Sequence, residues 1–164
     1  MVSTLGHESY IIHSGYGYSK RLCRSVASWY VNKYLRNRGL EIEIFHRGLK
    51  REGVHGWCDT VGTNKNPKEF LIELDTYMEK ELYTRTLLHE LVHVSQWVEK
   101  RLTFSKQHRY FMSINVDEME YEDQPHEKEA YEKEKELLDE YQREMEELKK
   151  KVKEINRSVP RHLL

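Results

Sequence analysis

The sequence is poor in cysteine, in proline, in late glycine and in charge of one sign, and each shortage removes a class of protein. Two cysteines, Cys23 and Cys58, are too few for a disulfide framework or a four-cysteine zinc ribbon. They read as two reduced, partly buried thiols. No apolar run approaches the ~18–20 residues needed to span a bilayer, so no membrane partner is expected. The opening of the chain lacks the basic start and apolar stretch of a secretory signal, and a cytoplasmic address is the expectation. Lys plus Arg number 27 against 28 Asp plus Glu, a net charge of -1 that gives no overall pull toward nucleic acid. All eight glycines lie at or before Gly62, and the prolines are Pro67, Pro125 and Pro160. Turns therefore crowd the first third, and longer elements follow. A length of 164 residues suits one domain with a modest core.

What is present divides cleanly. Residues 1–17, with Gly6, Gly15 and Gly17 among Tyr, His and Ser, read as a loop-like lead. From Ser19 to Arg38, Leu22, Val26, Trp29, Tyr30, Tyr34 and Leu35 recur at helical spacing and stop at Gly39. Residues 40–45 alternate apolar and acidic side chains, a strand with one wet face. Val54–Val61 predicts a second, antiparallel strand, and residues 70–75 a third after the turn at Asn64–Pro67. Helical spacing returns from about Glu79 to Lys100, through Leu82, Leu87, Leu88, Leu91, Val92 and Val98. Residues 101–124 are ambiguous: His108–Ile114 fits a strand or a short helix, and Asp117–Asp123 is acidic and reads as exposed.

Pro125 then opens a long helix. Residues 127–154 carry 19 charged side chains in 28, which suits a helix held by Glu/Lys pairs three and four apart. An apolar stripe still runs through Leu138, Tyr141, Met145, Leu148, Val152 and Ile155. At 1.5 Å per residue, a helix from 126 to 157 would be roughly 48 Å long, more than a domain of this size is wide. It either packs along the body and then projects, or pairs with a second copy as a homodimer. The organisation expected is a core over 1–124 and a charged helix over 125–164.

The chemistry lies in Leu87-Leu88-His89-Glu90-Leu91-Val92-His93. Residues four apart share a helix face, so His89 and His93 project two imidazoles toward one point. Neutral imidazole suits Zn²⁺. Glu90 stands about 100° round the helix, near an ion without ligating it, where it can take a proton from activated water. The HExxH spacing thus encodes two ligands and a base. A hydrolytic site needs a third protein ligand and leaves the fourth position to water. The candidates are His108 and Glu127. Extending the stripe back from Leu138 passes Glu134, Tyr131 and Glu127, which puts Glu127 on the inward face and favours it. A buried carboxylate needs a partner, and a metal is one. Trp29, Trp57 and Trp97 read as core, and His7, His13, His46, His55 and His162 as solvent-facing. Tyr110, Tyr121 and Tyr131 are candidates to stabilise an oxyanion.

Residues 70–131 resemble the small SprT-like zinc metallopeptidases of tailed bacteriophages, which are similar in plan to minimal gluzincins. The resemblance rests on Ile72-Glu73-Leu74-Asp75, the His89–His93 motif with Val94 and Gln96, and Gln124-Pro125-His126-Glu127 followed by Glu129-Ala130-Tyr131. It implies a zincin-like α+β fold, with a small, mostly antiparallel sheet packed on the N-terminal and HExxH helices. It also implies that Glu127 is the third ligand, that the strand around residues 70–75 is the edge along which a peptide lies, and that the host cytoplasm is the address. In that family tryptophan commonly stands where this chain has His126. Tyr131 occupies the place of the aspartate that supports the histidines in larger gluzincins, so that support is unassigned here. The expectation is a zinc peptidase with His89, His93 and Glu127 as ligands, Glu90 as general base, and a peptide or protein substrate. Its rival is a non-enzymatic zinc-stapled scaffold or phage assembly protein that pairs through the long helix.

Overall fold

Ser19 starts the first helix by accepting a hydrogen bond at Oγ from the Leu22 amide at 3.2 Å. The computed structural model describes residues 8–62 and 65–159. Helix α1 covers Lys20–Tyr34 and buries Cys23, Val26, Ala27, Tyr30 and Val31; of the positions its spacing marks, Val26, Tyr30 and Leu35 are buried, Leu22 and Trp29 partly so, and Tyr34 is exposed. It connects strand β1, Tyr10–Gly15, to β2, Glu41–His46. In β2 the alternation reads directly as structure, with Ile42, Ile44 and His46 inward and Glu41 and Glu43 in solvent. Strands β3, Gly56–Thr60, and β4, Glu69–Leu74, complete a sheet of order β1-β2-β4-β3.

This sheet corrects three expectations. It is mixed rather than mostly antiparallel: β1 pairs parallel with β2 and β2 parallel with β4, and only β3 runs antiparallel, against β4. The reason is β1, which lies in the stretch read as a loop. With α1 as the crossover from β1 to β2, the two strands must run the same way. Gly15 ends β1 at φ +100°, where a Cβ would stand 2.0 Å from the His46 carbonyl oxygen. Residues 70–75 do not form the sheet edge, because β3 covers the outer side of β4. His46, expected in solvent, is fully buried and stacked on Tyr18 with ring centroids 3.4 Å apart. His55 is exposed as expected and His13 half-buried, while His7 and His162 lie outside the described residues.

Helix α2, Lys80–Val98, is buried on every side from Leu87 to Trp97. The sheet, α1 and helix α3 (Pro125–Ser158) pack around it. Gly56 lets β3 approach closely, since a Cβ there would meet Leu74 Cδ2 at 2.9 Å and Thr86 Cγ2 of α2 at 3.0 Å. The ambiguous stretch forms a second, antiparallel sheet of β5 (Leu102–Ser105), β6 (His108–Phe111) and β7 (Ile114–Asn115), then a 3-10 turn at Tyr121–Asp123. Among the described residues the architecture is therefore mixed α and β, with three α-helices, two small sheets and a long C-terminal helix. Among the described residues no helix is long and apolar enough to cross a membrane.

Proline suits the first turn of α3, whose 34 residues span about 51 Å. The first half is tied to the body. It buries Glu127, Ala130, Glu134, Leu137, Leu138 and Tyr141. Tyr141 shares a hydrogen bond with Ser25 at 2.7 Å, Trp29 Nε1 donates to Glu144 at 2.6 Å, and Lys33 bridges Glu140 and Glu144. Beyond Met145 the stripe continues without cover: Leu148, Val152 and Ile155 are 53%, 48% and 61% exposed. Urea unfolding should separate the halves. Leu138→Ala should lose about 2–5 kcal/mol of stability, and Leu148→Lys should stay within about 0.5 kcal/mol. Equal losses at both positions would show that the outer half is not free.

Candidate metal centre

His89 and His93 stand one turn apart on α2, with ring centroids separated by 4.9 Å. What aims them is the hydrogen bond at the far nitrogen of each ring. His89 Nδ1 donates to Glu134 Oε2 at 2.8 Å, and His93 Nδ1 donates to Gln96 Oε1 at 2.8 Å. Gln96 keeps its oxygen toward His93 because its Nε2 donates to the His126 carbonyl at 2.9 Å. Arg85 holds the other oxygen of Glu134 at 3.3 Å. Both Nε2 atoms then converge on one oxygen, Glu127 Oε2, at 3.2 Å from His89 and 3.3 Å from His93. The Tyr121 hydroxyl donates to the same oxygen at 2.9 Å.

This donor set fits a divalent ion. The ligand atoms of His89, His93 and Glu127 all lie within 4.8 Å of one another. For bonds of about 2.0–2.1 Å, the edge of a ligand tetrahedron is about 3.3–3.4 Å, close to the separations from Glu127 to the two rings. With Nδ1 protonated on both rings, the neutral imidazoles turn lone pairs toward a carboxylate. Three acceptors facing each other repel unless a cation, a metal ion or a proton, sits between them. The titration behaviour carries the same sign. Burial alone would lower His89, but hydrogen bonds to Glu127 and Glu134 raise it to about 9. Burial likewise opposes the charged form of His93, and the Glu127 hydrogen bond and the Glu90 charge raise it. Burial alone would raise Glu127, yet the hydrogen bonds from both histidines hold it well below the usual carboxylate range.

No protein-family model, curated protein or solved structure matches this chain. The functional reading therefore rests on the side chains.

Glu90 is buried next to both histidines on the same helix, and burial lifts its carboxyl to about 7, against the opposing charges of His93 and His89. Cys58 on β3 is raised by burial and then by the charges of Glu90 and Glu127, so the edge strand flanks the centre. His108, the alternative third ligand, is not part of the cluster; it is exposed on β6 and 4.0 Å from Asp117. Of the three tyrosines, Tyr121 touches Glu127 and Tyr131 sets its ring 4.6 Å from that of His89, whereas Tyr110 pairs with Asn115 in the second sheet. The support for the histidines is Glu134 and Gln96, which the sequence reading did not assign. Glu134 was nonetheless legible, since it lies on the same inward stripe as Glu127. Elemental analysis after dialysis should find one zinc per chain in the parent and in His108→Ala, and a large loss in Glu127→Ala. Retention by Glu127→Ala with loss in His108→Ala would reverse the assignment.

Proposed function

We propose that the chain is a zinc-dependent peptidase of zincin-like plan, akin to the phage SprT-like enzymes, with His89, His93 and Glu127 holding the ion. The supporting observation is the convergence of His89, His93 and Glu127 on one point, with three ligand groups among the described residues, beside the buried carboxylate of Glu90. When bound, zinc would polarise a peptide carbonyl and bring the pKa of water to about 7. Glu90 takes the proton of the attacking water and delivers it to the leaving amine, a task that suits a carboxyl raised to about 7. Glu134 and Gln96 keep the imidazole Nε2 atoms turned inward throughout. The half-exposed Tyr121 hydroxyl, beside Glu127, can donate to the developing oxyanion. An extended peptide would pair with the free edge of β3, which flanks the centre, rather than with β4.

The rival scaffold reading draws on the uncovered stripe of α3, which suits pairing with a second copy. A closed structural zinc site takes four protein ligands, and the cluster offers three among the described residues. That count favours the enzyme. Cleavage of a peptide library by the zinc-loaded protein tests it directly. Glu90→Gln should keep its zinc and lose about 10²–10⁴-fold in turnover. Equal turnover by parent and variant would reject the role of Glu90, and a zinc-loaded parent that cuts nothing would favour the scaffold.

A further inference from the structure

Among the described residues, the buried side-chain nitrogen and oxygen atoms left without a hydrogen-bond partner are Nδ1 and Nε2 of a single residue, His126. Its side chain is 1% exposed, so water does not reach either ring nitrogen. Such orphaned atoms ordinarily destabilise a protein. The ring lies between His93 and Phe111, with centroids 5.5 and 6.0 Å away, and its backbone carbonyl is held by Gln96. It has little freedom to turn toward another partner.

The acceptor it faces is Glu127 Oε1, 3.5 Å from Nε2. Glu127 Oε2 receives His89, His93 and Tyr121, so the two oxygens of this carboxylate have different surroundings. The ring nitrogen with an acceptor before it is Nε2, and an N–H there can donate to a carboxylate oxygen. The contact is at ion-pair distance and is not a hydrogen bond. Resting on the zinc reading above, we propose that His126 is a positioning residue: its Nε2–H donates to Glu127 Oε1 when Oε2 takes up the ion, which makes Glu127 a one-oxygen ligand. A carboxylate so held cannot close over the ion with both oxygens, and the fourth position stays open to solvent. Residue 126 then steadies two ligands, Glu127 through its ring and His93 through its carbonyl and Gln96.

The test compares the parent, His126→Leu and His126→Gln, reading zinc affinity by chelator competition and melting of the metal-free proteins. His126→Leu should bind zinc about 10–100-fold more weakly, while its metal-free form melts no lower than the parent because two orphaned nitrogens are gone. His126→Gln, which keeps an N–H near the Nε2 position, should recover most of the affinity. Unchanged affinity in His126→Leu, equal losses in both variants, or a Leu variant that is destabilised or fails to fold without metal would each overturn the proposal. If the parent itself takes up no zinc, the peptidase reading falls together with this one. Normal binding by the parent with no effect of His126→Leu removes only the role of His126.

Discussion

The hydrogen bonds from His89 Nδ1 to Glu134 and from His93 Nδ1 to Gln96 decide which nitrogen of each ring faces inward, and the geometry of the centre follows from that choice. An imidazole four residues from another on a helix shares its face, but the ring can still flip. Two acceptors, each itself held by Arg85 or by the His126 carbonyl, stop the flip. Once both Nε2 atoms point at Glu127, the site demands a positive charge. Against the effect of burial, the hydrogen bonds to Glu127 and Glu134 raise the pKa of His89 to about 9.

The same bonds explain how a helix as polar as α3 is held on the body. Glu127 and Glu134 are two turns apart on its inward face, where unpaired carboxylates would be strongly unfavourable. Both are paired to His89, and Glu127 also to His93, so the centre and the helix dock as one unit. Further along, anchoring passes to α1 through Tyr141, Glu140 and Glu144. After Met145 the apolar stripe is exposed at Leu148, Val152 and Ile155.

Elements whose faces differ sharply were legible in the sequence. The alternation in β2 and the proline start of α3 stand as their patterns predict, and Val26 and Tyr30 lie on the buried face of α1. The inward place of Glu127 was legible too, because the stripe of α3 carries it to the face that the structure sets against His89 and His93. Strand β1 was hidden. It is an edge strand whose Tyr10 and Ile12 are exposed, so it shows no buried alternation, and the glycine at its end resembles a loop. Missing β1 removed the crossover and with it the parallel pairing. Burial of His46 depends on stacking with Tyr18 and a hydrogen bond to the Ser14 carbonyl, contacts that no local pattern encodes. The inward stripe places Glu134 on the buried face, but its pairing with His89 Nδ1 depends on how α3 docks on α2, which no local pattern encodes.

Diffraction at the zinc edge from crystals grown with the metal tests the central claim most directly. The account predicts one anomalous peak, about 2.0–2.1 Å from His89 Nε2, His93 Nε2 and Glu127 Oε2, with solvent as the fourth neighbour. A zinc ion bound elsewhere, a fourth protein ligand, or no peak between those three atoms at saturating zinc would contradict it.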